Sequence, residues 1–392
     1  MRQLLLLLFI VITFSCSQEE IPIPNDPPAE STGIAKGIFG LRDAAALSNL
    51  GAEYTRILAW DSDLKVVYEQ VDNGVPLENN PYYQQIRNIH EAGVHIIFTL
   101  RWPDQSSSDP ALYDRVPLGQ DRQEALDLLS RFLNDFGPMI RIYALQNEVG
   151  GLGPGTYVES DMQQGPSGSP AVQWWTALTE RYQFEKANNS ELTHLQISSP
   201  VPVLLKRLVF DPSGLPATNV DFFYETVEFG NAHCDYIDFH FNTFTLEEHE
   251  EALNFLQPLV NKPMIATEWS EVGSSNAYIN QAISDAIKAY AATINYNIPA
   301  SISTNDELIE HLYDHPSNLE FWSLLVEESR YSENFMKASS TLLAEANFKI
   351  VCWNSGWQEG LTAYDLRSFF ATKTVQGPNN EMIPFTQEFK DL

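Results

Sequence analysis

From residue 34 onward, short apolar runs rich in β-branched residues alternate with longer segments of helical period. The runs Ile34–Gly40, Tyr54–Trp60, Val94–Arg101, Ile140–Asn147, Leu195–Ser199, Tyr236–Phe241, Met264–Glu268 and Phe348–Trp353 predict eight strands. In Asp121–Phe136, Val172–Ala187, Asp221–Gly230, Glu247–Val260 and Leu319–Ala346 the apolar positions recur every three or four residues, as on amphipathic helices. Strands that are apolar almost throughout need cover on both faces, the condition of a parallel sheet flanked by helices. Eight such units fit a closed barrel better than an open doubly wound sheet, and no Gly-x-Gly-x-x-Gly follows the first run. The expected fold class is therefore α/β, a (β/α)8 TIM barrel in a single domain over residues 34–392. Val149–Pro170, rich in Gly and Pro, and Tyr278–Asn318, with a helical pattern around Ala282–Thr293, read as insertions after the fourth and seventh strands. Asp61–Pro81 reads as a loop.

The first residues break this pattern. Met-Arg-Gln precedes an apolar block, Leu4 to Phe14, that is too short to span a bilayer, which predicts a signal peptide over residues 1–16. Its ending, Thr13-Phe14-Ser15-Cys16, resembles a bacterial lipobox, and the resemblance implies a diacylglycerol on Cys16. Residues 17–33 carry Pro, Asp, Glu and Ser with no apolar period, as in a disordered tether. The expected location is the cell envelope, as an outer-membrane lipoprotein; Glu19-Glu20 beside the anchor resembles signals for surface exposure.

Composition narrows the partners. Of the 392 residues 23 are basic and 52 acidic, a formal charge of −29. That balance excludes a phosphate-binding stripe, so no nucleic acid is expected. It also disfavours an anionic substrate, unless a local basic pocket overrides the average. Three cysteines are too few for a disulfide framework. With Cys16 in the leader, Cys234 and Cys352 are expected as buried free thiols. No His/Cys cluster has metal-ligand spacing, so neither a metal nor another cofactor is expected, and no obligatory protein partner is evident. The 8 Trp residues serve packing, but they are also the flat, dry platforms that carbohydrate sites use.

In a barrel of this type the C-terminal strand ends face the site. Here they read Arg56-Ile57-Leu58-Ala59-Trp60, Leu100-Arg101-Trp102, Gln146-Asn147-Glu148, His240-Phe241-Asn242, Thr267-Glu268-Trp269 and Trp353-Asn354. Glu148 and Glu268, closing the fourth and seventh strands, would face each other across the mouth. Two carboxyl groups so placed can share the work of glycoside cleavage, one attacking the anomeric carbon and one protonating the leaving oxygen. Leu-Gln-Asn-Glu at 145–148 and Ala-Thr-Glu-Trp at 266–269 resemble the paired motifs of the clan A glycoside hydrolases. Gly51–Arg56, Asp238-Phe239-His240, Trp353 and the segment Asn380–Leu392 add to that resemblance.

The resemblance implies Glu148 as acid/base and Glu268 as nucleophile, with Arg56 held near Glu268 and Asn147 on the sugar 2-hydroxyl. Glu271 is the competing carboxylate. His240 is expected in the substrate network, with Trp60, Trp102, Trp269 and Trp353 as sugar platforms. Asn242 departs from the pattern, since many clan members place there a Tyr that bonds the nucleophile. The implied function is retaining cleavage of β-glycosidic bonds in a polysaccharide or oligosaccharide. The alternative is a glycan-binding surface lipoprotein that has lost catalysis.

Overall fold

The structure, a computed structural model, describes residues 33–102, 115–152, 159–241, 244–270, 281–315 and 335–354, with shorter pieces at 157, 317, 320–321, 324–325, 328, 388–390 and 392. The leader with Cys16, the tether up to residue 32, Asn242 and Glu271 lie outside the described residues.

Eight strands run β1 Ala35–Phe39, β2 Tyr54–Trp60, β3 His95–Arg101, β4 Ile142–Ala144, β5 Gln196–Ser198, β6 Ile237–Phe241, β7 Met264–Trp269 and β8 Phe348–Asn354. They form one parallel sheet in the order β5-β4-β3-β2-β1-β8-β7-β6. Its two ends meet: Ser198 bridges Tyr236 in parallel, and the Ser199 amide donates to the Tyr236 carbonyl at 3.0 Å. The sheet is thus closed into the (β/α)8 barrel, with no edge left to protect.

Strand alternation sorts the side chains into two layers. Tyr54, Ile97, Ile142, Ala144, Ile265, Ile350 and Cys352 fill the barrel interior. A larger apolar layer lies between the sheet and the helices, including Phe98, Phe132, Trp174, Phe239 and Leu343. Gly37 in β1 marks how tightly the interior is filled, because a Cβ there would stand 2.7 Å from Cys352 Sγ and 2.9 Å from Tyr54 Cβ. Cys234 and Cys352 are buried free thiols, and burial pushes both well above the ordinary thiol range.

The helices expected at 121–136, 172–187, 221–230 and 247–260 are found at Gly119–Phe136, Pro170–Asn188, Ala217–His233 and Leu246–Leu256. Asp61–Pro81 is not a loop. It holds the helix Asp61–Asp72 and a single 3-10 turn, Leu77–Asn79, before the helix Pro81–Glu91. Trp60 ends β2 and at once caps that first helix, its backbone N–H bonded to Asp63, so strand passes to helix without the turn residues that would announce it.

Two histidines away from the barrel mouth are kept neutral by the fold. Burial, with Arg141 and neighbouring His90 and His194, depresses His95 to about 4. Burial likewise depresses His249 to about 4, where its ring is bonded to the Thr245 carbonyl and Ser339 Oγ. A histidine whose folded pKa lies below its unfolded value takes up protons on unfolding, so its stabilisation is full above the unfolded pKa and is lost as pH falls. Urea midpoints should therefore drop as pH falls from about 6.5 to about 4, and His95→Gln should flatten that slope. An equal slope in the variant would remove His95 from the account.

Candidate active site

Arg56 organises the site. It is fully buried in β2, where its charge has to be met by acceptors or the fold would not tolerate it. Nη1 donates to Glu268 Oε1 at 2.7 Å, Nη2 donates to Asn147 Oδ1, and Nε donates to Thr99 Oγ1 at 3.2 Å. The guanidinium also lies over the Phe39 ring, 4.7 Å from its centroid. One cation thus ties the ends of β2, β3, β4 and β7 together and aims the Glu268 carboxylate.

Glu148 follows β4 in a left-handed backbone conformation, φ +41°. Non-glycine residues seldom adopt it without a structural reason. The chain is held there by Val149, whose N–H donates to the Val201 carbonyl at 2.8 Å, and the turn presents the Glu148 side chain, 42 % exposed, to the barrel mouth. Glu268 across from it is 5 % exposed.

His240 of β6 joins the two carboxylates. Its Nδ1 is 3.2 Å from Glu148 Oε1 and 3.6 Å from Glu268 Oε2. Its Nε2 is 3.3 Å from Thr267 Oγ1 and 3.5 Å from Arg56 Nη1. Thr267 in turn donates its hydroxyl to Asp238 Oδ2 at 2.7 Å and its N–H to Oδ1 at 3.1 Å. Thr267 thereby fixes the ring. Burial disfavours the imidazolium, but the Glu268 charge and the hydrogen bond to Glu148 outweigh it, so His240 is raised. Glu148 goes the other way: burial would raise it, and the His240 bond and charge, with Arg56 and Arg101, hold it well below the ordinary carboxylate range. The pair thus favours a proton on His240 over one on Glu148. Burial lifts Asp238 to about 6 despite His240, Arg56 and the Thr267 bonds.

One donor atom from each of Glu148, His240 and Glu268 lies within 4.8 Å of the other two, and among the described residues this trio is the set that could hold a divalent cation. Sequence spacing could not show it, since the three come from β4, β6 and β7. Arg56 already places a positive charge 2.7 Å from Glu268, and an arriving cation would have to displace or tolerate it.

The tryptophans are sorted differently from expectation. Trp102, Trp269 and Trp353 are at most 1 % exposed and turn to the helix layer. Trp102 meets Trp174 edge-on, with centroids 6.0 Å apart. Trp269 stacks on Phe335 and donates to Ser339 Oγ at 2.7 Å. Trp353 lies 5.4 Å from the Phe389 ring. As platforms for sugar they are corrected to packing residues, because each ring is buried against an aromatic neighbour. Trp60 is different: half-buried at the end of β2, it carries the Arg101 guanidinium 4.4 Å from its ring centroid. Thr99, Asp238 and Thr267 had no role in the sequence-level site, although Asp238 and Thr267 stood in the runs Asp238-Phe239-His240 and Thr267-Glu268-Trp269.

No model of a known protein family matches the chain, and no curated protein matches it. Among solved structures it is similar to a psychrophilic glycoside hydrolase family 10 endo-β-1,4-xylanase, at 10 % identity over 92 % of this chain and 97 % of that one, TM-score 0.45. It is also similar to a fungal β-1,4-galactanase, at 12 % identity over 88 % and 90 %, TM-score 0.44. A third is rice Os3BGlu6 β-glucosidase, at 9 % identity over 88 % and 85 %, TM-score 0.45.

Proposed function

We propose that this protein is a retaining β-glycosidase. The observation that carries the reading is the closeness of Glu148 and Glu268, whose facing oxygens lie within 4.8 Å of each other at the barrel mouth. Retaining enzymes hold their two carboxyl groups about 5–5.5 Å apart, whereas inverting ones leave about 6.5–9.5 Å for a water.

Glu268, aimed by Arg56, attacks the anomeric carbon; the bond from that carbon to the leaving oxygen breaks, and the leaving oxygen takes a proton from Glu148. As the ester forms, Glu268 loses its charge, and with it goes the strongest attraction holding the proton on His240. His240 Nδ1, 3.2 Å away, gives that one proton to Glu148, which passes it on to the departing oxygen and is left ionised. In the second half water attacks the ester, Glu148 takes the water's proton, Glu268 regains its charge, and the proton settles back on His240. Asn147, held by Arg56, would bond the sugar 2-hydroxyl, a contact that tightens in the transition state. A lipid on Cys16 would keep this chemistry at the cell envelope.

The test is turnover of aryl β-glycosides and polysaccharides by the protein and by its separate Glu148→Gln and Glu268→Gln variants. An unchanged rate in either variant removes that residue from the mechanism. Sugar binding without any product favours a glycan-binding barrel instead.

A further inference from the structure

Behind His240 the barrel buries a carboxylate that the proposed chemistry leaves unused. Asp238 is fully enclosed, and an ionised carboxylate taken out of water is costly to keep. Asp238 and His240 stand two apart on β6, so both side chains enter the barrel on the same face. Opposite them β7 carries one residue more, since Asp238 is level with Ile265 and His240 with Glu268. That extra residue turns Thr267 inward, into contact with both side chains.

The hydrogen bonds of this stack run in one direction. Asp238 Oδ1 accepts the Thr267 N–H at 3.1 Å, and Oδ2 accepts its hydroxyl at 2.7 Å. A hydroxyl has one proton to give. An ionised carboxylate at that distance takes it ahead of an imidazole nitrogen at 3.3 Å. The Thr267 oxygen then offers His240 Nε2 lone pairs only, so the bond between them needs a proton on Nε2. Arg56 Nη1, 3.5 Å from the same nitrogen, pulls weakly the other way, but it already donates to Glu268 at 2.7 Å. Nδ1 faces Glu148 and Glu268. Holding the hydrogen on one ring nitrogen makes the other the site of exchange, the service that a buried aspartate gives the histidine of a serine-hydrolase triad.

We propose that Asp238 and Thr267 are positioning residues that lock His240 in one tautomer, its permanent proton on Nε2, so that Nδ1 alone exchanges with Glu148. This rests on the glycosidase reading and names the two residues behind its proton step. When Nδ1 gives up its proton, the neutral ring is already bonded to Thr267, and neither side chain has to turn. The opposite tautomer would keep a hydrogen on Nδ1 that it could release only as imidazolate, and Glu148 would receive nothing.

Asp238→Asn reverses the stack with little change in size. The amide oxygen stays with the Thr267 N–H, the amide N–H meets the Thr267 oxygen, and the hydroxyl turns its proton to Nε2. Isotope-edited nitrogen NMR of histidine-labelled protein reads the outcome, with His240→Gln to assign the ring. Glu268→Gln is the background, because it removes the charge that most raises His240 and leaves the ring neutral at about pH 8. There the hydrogen should lie on Nε2, and adding Asp238→Asn should move it to Nδ1. Adding Thr267→Ala should weaken the Nε2 preference and Thr267→Ser should restore it, a pair that decides the matter even if the Asp238 variant does not fold. With Glu268 in place, Asp238→Asn should lower kcat on alkyl β-glycosides by about tenfold to a hundredfold, a share of what a positioned acid is worth. The loss should be much smaller on nitrophenyl glycosides, and Thr267→Ser should keep the rate on both. A neutral ring with its hydrogen on Nδ1 in Glu268→Gln, or a tautomer that no substitution moves, overturns the proposal and leaves the glycosidase reading intact. Equal kinetic losses on the two leaving groups also overturn it, because loosened packing would act on both alike. The tautomer shift in a protein that turns over no glycoside supports the lock and overturns the glycosidase reading.

Discussion

Glu268→Gln is expected to lower kcat on an aryl β-glycoside by about 10⁴-fold or more, the scale on which nucleophile deletions act. The substitution keeps the size of the side chain, and its amide oxygen can still accept from Arg56 Nη1, so circular dichroism should show a folded barrel. What is lost is the attacking charge, for which the described site holds no substitute at the same distance from Arg56: Glu148 contacts His240 and not the guanidinium. Glu148→Gln should cost about 10²–10⁴-fold, the usual worth of a positioned acid. That loss should be smaller for nitrophenyl than for alkyl leaving groups, because a nitrophenolate departs without needing the proton. Steady-state kinetics on both leaving-group types checks the pair of assignments, and equal losses on the two would count against Glu148 as the acid.

His240→Gln is expected to move the alkaline limb of kcat/KM to lower pH. In the proposed mechanism the proton that Glu148 delivers comes from His240, which is raised above its ordinary 6.5 by Glu268 and Glu148 against the cost of burial. Activity should thus persist until pH passes that raised value. Without the imidazole, Glu148 must hold the proton alone; it escapes the strong depression that His240 imposes, and burial then favours its protonated form, but a carboxyl still starts about two units below an imidazole. The limb should shift down by about that gap, which is a loss of about a hundredfold at pH values above it. A profile from pH 4 to 9 for both proteins is the measurement. An unmoved alkaline limb would mean that His240 positions the carboxylates and stores no proton.

Much of this barrel is legible in the order of its residues, and its failures have physical causes. β2 is found at the expected Tyr54–Trp60, and β7 differs by one residue, because buried parallel strands are apolar on both faces and stand out against polar helix surfaces. β4 is shorter than its apolar run: Ile140–Asn147 predicts eight residues, but pairing covers only Ile142–Ala144. Beyond Ala144 the chain leaves the ladder to build Gln146, Asn147 and the positive-φ Glu148, and no apolar pattern records such a departure. The helix Asp61–Asp72 was hidden because its cap is a tryptophan that also ends a strand.

The candidate site was half visible. Glu148, Glu268, Arg56, Asn147 and His240 converge as the strand ends suggested. The bonds among them, and the Asp238–Thr267 support behind His240, depend on register shifts in the β6–β7 and β7–β8 pairings. Those shifts bring both Thr267 and Glu268 to the mouth and send Trp269 outward, which a strict period of two misassigns.

The central claim is a covalent sugar on Glu268. The most direct measurement incubates the protein with a 2,4-dinitrophenyl 2-deoxy-2-fluoro-β-glycoside of the sugar it turns over fastest, then weighs the intact chain and maps the labelled peptide. One fluorosugar per chain, placed on Glu268, is the predicted result. Turnover with no adduct and an inverted product anomer, or a label on Glu271 or Glu148 instead, would contradict it.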